Sequence, residues 1–192
     1  MREAIKAASR GIAFLVVLPA LASFFLRSKL FGSDRALEGS SQTLSLIPGL
    51  TGQYLRRAFL SIVITHCAPS VAVEFGTIFS QAGARLDDHV YVGAGCFLGL
   101  VHLERDVLVG SGVHITSGRR THGTASGSAP IRDQEGERSL VRVGAGTWIG
   151  SGAIVMADVG SNSIVGAGAV VTSPIPDNVV AAGVPAKVIR PR

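Results

Sequence analysis

From residue 71 onward aliphatic residues recur every six positions, a period that neither an α-helix nor a simple amphipathic strand supplies. The repeat reads LDDHVY (86–91), VGAGCF (92–97), VGSGVH (109–114), VGAGTW (143–148), IGSGAI (149–154) and VGAGAV (165–170). Each unit begins with Leu, Val or Ile, five of the six place Gly second, and the fifth position is small or β-branched. One large and one small inward position per six residues describe a short strand and a tight corner, with Gly where backbones approach closely or φ is positive. Stacked strands and corners make a parallel β-helix, an all-β architecture. The 24 Gly in 192 residues fit this, being well above the usual 7% or so and lacking the every-third spacing of collagen. The predicted inward residues are Val92, Val109, Val143, Ile149, Val165 and Val171. The register is eleven residues between positions 98 and 109 and ten between 155 and 165, which predicts shortened coils. Residues 117–140 lack the repeat and are expected to extrude as a loop, and a loop that long in a compact domain usually carries function.

The length fits one main domain. With 47% hydrophobic and 16% charged residues and a mean hydropathy of +0.41, the chain is not intrinsically disordered, and contact with a membrane is expected. The net charge of +5 is not spread evenly. Up to Arg57 there are eight basic and three acidic residues, whereas the remainder is balanced. A nucleic-acid protein would carry its basic stripe on the folded body with aromatic residues interleaved, so no nucleic-acid partner is expected. Cys67 and Cys96 match no zinc or redox spacing and read as reduced, small apolar residues of a cytosolic protein.

The chain divides near residue 70, giving an N-terminal membrane-associating segment (1–70) and a β-helix domain (71–192). Residues 11–26 form an uncharged run flanked by Arg10, Arg27 and Lys29. As a straight helix they span about 24 Å, short of a bilayer core of about 30 Å, and Pro19 is expected to kink them. A cleavable leader ending at Ala22 is the competing reading. Further on, Tyr54, Leu55, Ala58, Phe59 and Ile62 share a helical face beside Arg56 and Arg57. That pattern suits either a basic helix on a membrane surface or a helix packed on the main domain.

Three stretches carry a specific resemblance. Trp148-Ile149-Gly150-Ser151 resembles the WIGS stretch of galactoside and maltose acetyltransferases, and VGAGAVVTSPIPDNVVAAGVPAKVIR (165–190) resembles their C-terminal signature. ITSGRRTHG (115–123) resembles acyltransferases of bacterial surface polysaccharides and exopolysaccharides, which also begin with an apolar segment. Nearly the whole chain is therefore similar to the hexapeptide-repeat acyltransferases. The resemblance implies a left-handed parallel β-helix and an acetyl-CoA (acyl-CoA) donor. It also implies a homotrimer with sites between subunits, and a sugar or lipid-linked glycan hydroxyl as acceptor.

His122 is the candidate base, because an alcohol is a poor nucleophile until its proton is being removed and neutral imidazole suits that task near pH 7. By resemblance, the backbone at Gly150 and Ser151 faces the developing oxyanion. Trp148, Ala167, Thr172, Lys187 and Arg190 match donor-binding positions, the two cations suiting the phosphates of coenzyme A. Ser173 stands where a lysine is often found, and neither Asn162 nor Asn178 matches the asparagine that organises the acceptor site of the galactoside enzymes. His114, Arg119 and Arg120 are candidates for the acceptor cleft, and Asp87, Asp88 and Glu74 for the carboxylate that orients His122. His102 reads as a core histidine, His66 and His89 as structural. No metal is expected, because the zinc-binding His-x-x-x-x-His of the gamma-class carbonic anhydrases, which share this helix, is absent. Two other functions stay open, a membrane-docked scaffold without catalysis and an acetyltransferase acting on xenobiotics. Because coenzyme A thioesters are a cytosolic pool, the expected location is the inner face of the cytoplasmic membrane.

Overall fold

The computed structural model describes residues 2–192, with side-chain surroundings from residue 9. Three helices, α1 (Arg2–Phe31), α2 (Ser33–Ser45) and α3 (Gly49–Val63), precede a run of short strands, most of two residues and none longer than five, that wind into a parallel β-helix with three faces. Each strand pairs in parallel with the strand one coil away, and only the last, Lys187–Pro191, turns back antiparallel on Val179–Ala182.

The six-residue period places buried side chains in vertical stacks. The first face buries Cys67, Leu86, Leu103 and Val143, and the second Val73, Val92, Val109, Ile149, Val165 and Ala181. The third buries Phe79, Leu98, Ile115, Val155 and Val171. All six predicted inward residues are fully buried. The two register slips are shortened first-face corners. Val101–Leu103 supplies one, and the lone bridge of Val159 to Val143 and Ile175 supplies the other. Gly at the second repeat position is a matter of space. A Cβ on Gly150 would sit 2.5 Å from the Ala167 N of the next coil, and one on Gly110 2.6 Å from Ser151 N.

The helices close the open end of the solenoid, where unpaired strand edges would otherwise invite aggregation. Ser41 Oγ accepts the Phe79 N–H (2.9 Å), Asp34 Oδ1 accepts that of Ala82 (2.9 Å), and Ser45 O accepts that of Gly76 (2.9 Å). Arg56 completes the cap. Its Nε donates to Val73 O (2.9 Å) and its Nη1 to Leu44 O (3.1 Å) and Ile47 O (2.7 Å). Of the two readings of this helix, packing on the main domain is the one that holds for Arg56, which is no membrane-facing cation. The side chain is buried, and α3 packs between the other two helices and the first strands, burying Leu55, Ala58, Phe59 and Leu60. Burial works against the charge on Arg56, and Glu74 partly offsets it. One apolar core runs from Ala13 through these helices to Ala181.

Two further expectations are corrected. The apolar stretch extends beyond residues 11–26, running over Ser9–Phe31 of α1, which at 23 residues and about 35 Å is long and apolar enough to cross a bilayer core, and Pro19 lies inside this helix. His102 points outward between buried Val101 and Leu103, and its Nε2 lies 3.0 Å from Asp87 Oδ2.

Candidate active site

Residues 117–140 form a two-limbed ribbon rather than a featureless loop. At its base Ser139 N–H donates to Ser117 O (2.9 Å) and Glu137 N–H to Arg120 O (2.7 Å). Ser117 Oγ accepts the Leu100 N–H (2.9 Å), tying the ribbon to the solenoid. Towards the tip, Gln134 brackets Ser126, accepting its N–H and donating to its carbonyl (both 2.9 Å). Between base and tip the limbs approach so closely that a Cβ on Gly123 would lie 2.5 Å from Glu135 O, and one on Gly136 2.7 Å from His122 Cα. These two glycines set the crossing that presents His122.

His122 and His114 line one cavity of about 750 Å³. His114 projects outward from the third face, its ring stacked on Phe97 at 6.2 Å. The wall also includes Thr116, Ser117, Thr121 and Arg138, with Ser80 and Gln81 from the first coil. The opposite wall is the corner between α1 and α2, residues 31–35 and Glu38. Such a space suits a polar ligand of one or two sugar rings, with an imidazole available to take a hydroxyl proton.

Asp87, Asp88 and Glu74 do not line this cavity. Asp87 faces His102 and, at 3.9 Å, His66, while Asp88 accepts Ser70 Oγ (2.8 Å) and Glu74 accepts from Gln53 (2.6 Å). The carboxylates that do line it are Asp34 and Glu38, which sequence reasoning missed along with Arg35 and Arg138. Arg120 shares an adjoining cavity with His122, and Arg119, together with Arg120, lines another beside Met156 and Asp158.

The donor-side candidates lie elsewhere on the same chain. Trp148 is half exposed on the second face, and Ser151 and Ala167 sit in stacked corners between the second and third faces. Among the described residues neither the Ser151 nor the Ala167 N–H has an acceptor, although Gly150 N–H donates to Val165 O (2.7 Å) and Gly152 N–H to Ser111 O (2.9 Å). Thr172 follows the last strand of the third face, and Lys187 and Arg190 lie exposed on the terminal hairpin. A single chain does not bring these residues into the cavity of His122.

Neither thiol reaches the cavity, and among the described residues no group of three or more His, Cys, Asp or Glu could hold a metal ion. Burial pushes Cys67 up to about 12, despite the opposing pull of Arg57, and also raises Cys96. At pH 8 an aromatic disulfide reagent should therefore titrate neither thiol in the folded protein and both in denaturant. Because a buried neutral thiol favours the folded state, this contribution is complete below the unfolded pKa of about 8.5 and is lost as pH rises towards about 12. The denaturation midpoint should fall over that window, and less steeply in Cys67→Ala.

No family model matches the chain. It is 33% identical over 124 residues to WbbJ of Escherichia coli (strain K12), named as a candidate lipopolysaccharide biosynthesis O-acetyl transferase. The match covers 60% of this chain and 61% of WbbJ, so the chain spans about three fifths of the length of that curated relative. Among solved structures, a maltose O-acetyltransferase from Clostridium difficile 630 superposes with a TM-score of 0.70 at 20% identity, covering 82% of this chain and 87% of the other. A galactoside acetyltransferase in complex with coenzyme A gives 0.67 at 23% identity, covering 83% and 82%. AntD, an N-acyltransferase from Bacillus cereus, gives 0.56 at 16% identity over 64% and 70% of the two chains. These likenesses show the fold, the left-handed parallel β-helix of hexapeptide-repeat acetyltransferases.

Proposed function

We propose that the chain is an acyl-CoA-dependent O-acetyltransferase that moves an acetyl group to a sugar hydroxyl of a surface or extracellular glycan. The observation that carries this reading is the polar cavity that His122, from the extruded ribbon, and His114, from the third face, line together. The 33% identity to a candidate lipopolysaccharide O-acetyl transferase supports the acceptor class. In the reaction His122 removes the acceptor hydroxyl proton as its oxygen attacks the thioester carbonyl. The oxyanion of the tetrahedral intermediate is met by the Ser151 N–H beside Gly150, and its collapse expels the coenzyme A thiolate, which takes the proton from the imidazolium. No acyl-enzyme forms, consistent with the burial of both thiols.

The enzyme acts as a homotrimer, with Trp148, Ser151, Ala167, Thr172, Lys187 and Arg190 of one copy brought to the His122 cavity of its neighbour. The separation of these two groups within one chain supports this arrangement. Residues 1–70 place the trimer on the inner face of the cytoplasmic membrane, and residues 71–192 carry the chemistry. Support for docking comes from α1, which packs inward through Ala13, Val17, Leu21 and Phe24 and leaves the opposite face apolar and exposed. Thiol release from acetyl-CoA in the presence of acceptor glycans, together with light scattering, tests the reading. Acceptor-dependent release by a trimer is expected, and a monomer with full activity would contradict it.

A further inference from the structure

Resting on the acyltransfer reading and on the lipid-linked acceptor that the family resemblance implies, we propose that Arg27 and Arg35 form the site that binds the phosphate or diphosphate joining glycan to lipid. A second cavity of about 330 Å³, lined by Arg27, Arg35, Ala36 and Gln42, adjoins the histidine cavity. The two share Phe31, Arg35 and Glu38, so one trough runs from His122 to the end of α1.

Three chemistries follow one another along that trough. The inner part offers hydroxyls and amides, from Thr116, Ser117, Thr121, Ser80 and Gln81, beside one cation, Arg138, and these suit sugar hydroxyls. The junction is cationic. Arg27 is held by Ser40 Oγ (2.7 Å) and Ser23 O (3.3 Å), and among the described residues neither Arg27 nor Arg35 has a carboxylate within 4.0 Å. Lys29 stands exposed in the last turn of α1. Glu38 is the one acid common to both cavities, since Asp34 lines only the first and is engaged by the Ala82 N–H. Beyond the junction the outer face of α1 is apolar, from Leu30 back through Leu26 (63% exposed) and Phe25 to Leu18 and Leu15 (68%). That face is about 22 Å long at 1.5 Å per residue.

A soluble sugar would use only the inner part. An amphiphile with the order glycan, phosphate and hydrocarbon uses all three, with paired arginines matching the phosphate and a helix face at acyl depth matching the lipid. The site is formed by the α1–α2 corner, so the N-terminal segment selects the acceptor as well as docking the protein.

Isothermal titration of the full chain in detergent with farnesyl diphosphate, inorganic pyrophosphate and farnesol tests this without any acyl transfer. Farnesyl diphosphate should bind at least about tenfold more tightly than either fragment. Arg35→Gln and Arg27→Gln should each weaken it by about tenfold, Arg35→Lys by less, and Arg105→Gln not at all. Equal binding of farnesol, or unchanged binding in Arg35→Gln and Arg27→Gln, overturns the proposal. If binding follows the arginines while acetyl-CoA is never turned over, the acyltransfer reading fails and the lipid-phosphate site stands. If a water-soluble glycan is acetylated but farnesyl diphosphate does not bind, this inference fails alone.

Discussion

On the proposed mechanism, replacing His122 with alanine should lower the turnover of acetyl transfer by about 10²–10⁴-fold while coenzyme A binding stays nearly unchanged. The size of the loss follows from what remains. Without the imidazole the acceptor hydroxyl must lose its proton to water, but donor positioning and the Ser151 N–H are untouched, so a residual rate survives. The unchanged donor affinity follows from which groups hold the donor, since on the proposed mechanism coenzyme A is bound by Trp148, Thr172, Lys187 and Arg190, none of which lines the His122 cavity of its own chain, and not by the imidazole. His66→Ala is the control, because that ring lies on the first face near Asp87 and outside the cavity. Steady-state kinetics of the two variants, with titration of coenzyme A, separates loss of the base from loss of the fold.

Phe59→Ala destabilises the protein by about 3–5 kcal/mol. Phe59 is fully buried where α3 meets the solenoid, and its ring meets that of Phe24 of α1 edge-on at 5.8 Å. Truncation removes the apolar area and opens a cavity that the short strands beneath cannot collapse to fill, because each is fixed by its ladder. It also loosens the cap whose Arg56, Ser41 and Asp34 satisfy the first coil, so the exposed edge adds a tendency to aggregate. Denaturant titration should show a lower midpoint with little change in slope. Ile62→Ala, at a half-exposed position of the same helix, should stay within about 0.5 kcal/mol.

The solenoid was legible because its period is local. Valines six apart declare the inward stacks, and the following glycines declare corners, with no knowledge of distant partners. The same logic exposed the ribbon as a gap in the period. What escaped depends on long-range pairing. Arg56 occupies a buried place that no hydrophobic pattern marks, since its partners Leu44 O, Ile47 O and Val73 O are backbone atoms whose position follows only from how α2 and α3 cap the coil. Likewise Asp34, Arg35 and Glu38 read as the polar face of a helix, and only the fold brings that face against a ribbon some eighty residues further on. His102 failed for a different reason. The coil that holds it is short, so counting by sixes from its neighbours assigned it to the wrong side.

Direct transfer of an acetyl group from coenzyme A to a glycan oxygen is the central step of the proposed reaction. Mass spectrometry of one quenched reaction, containing the protein, acetyl-CoA and a lipid-linked glycan, follows every place the group can go. The predicted result is one acetyl ester on the glycan for each free coenzyme A thiol, with the protein's own mass unchanged throughout. An acetylated protein chain on the path to product, or coenzyme A released without an ester on the glycan, would contradict it.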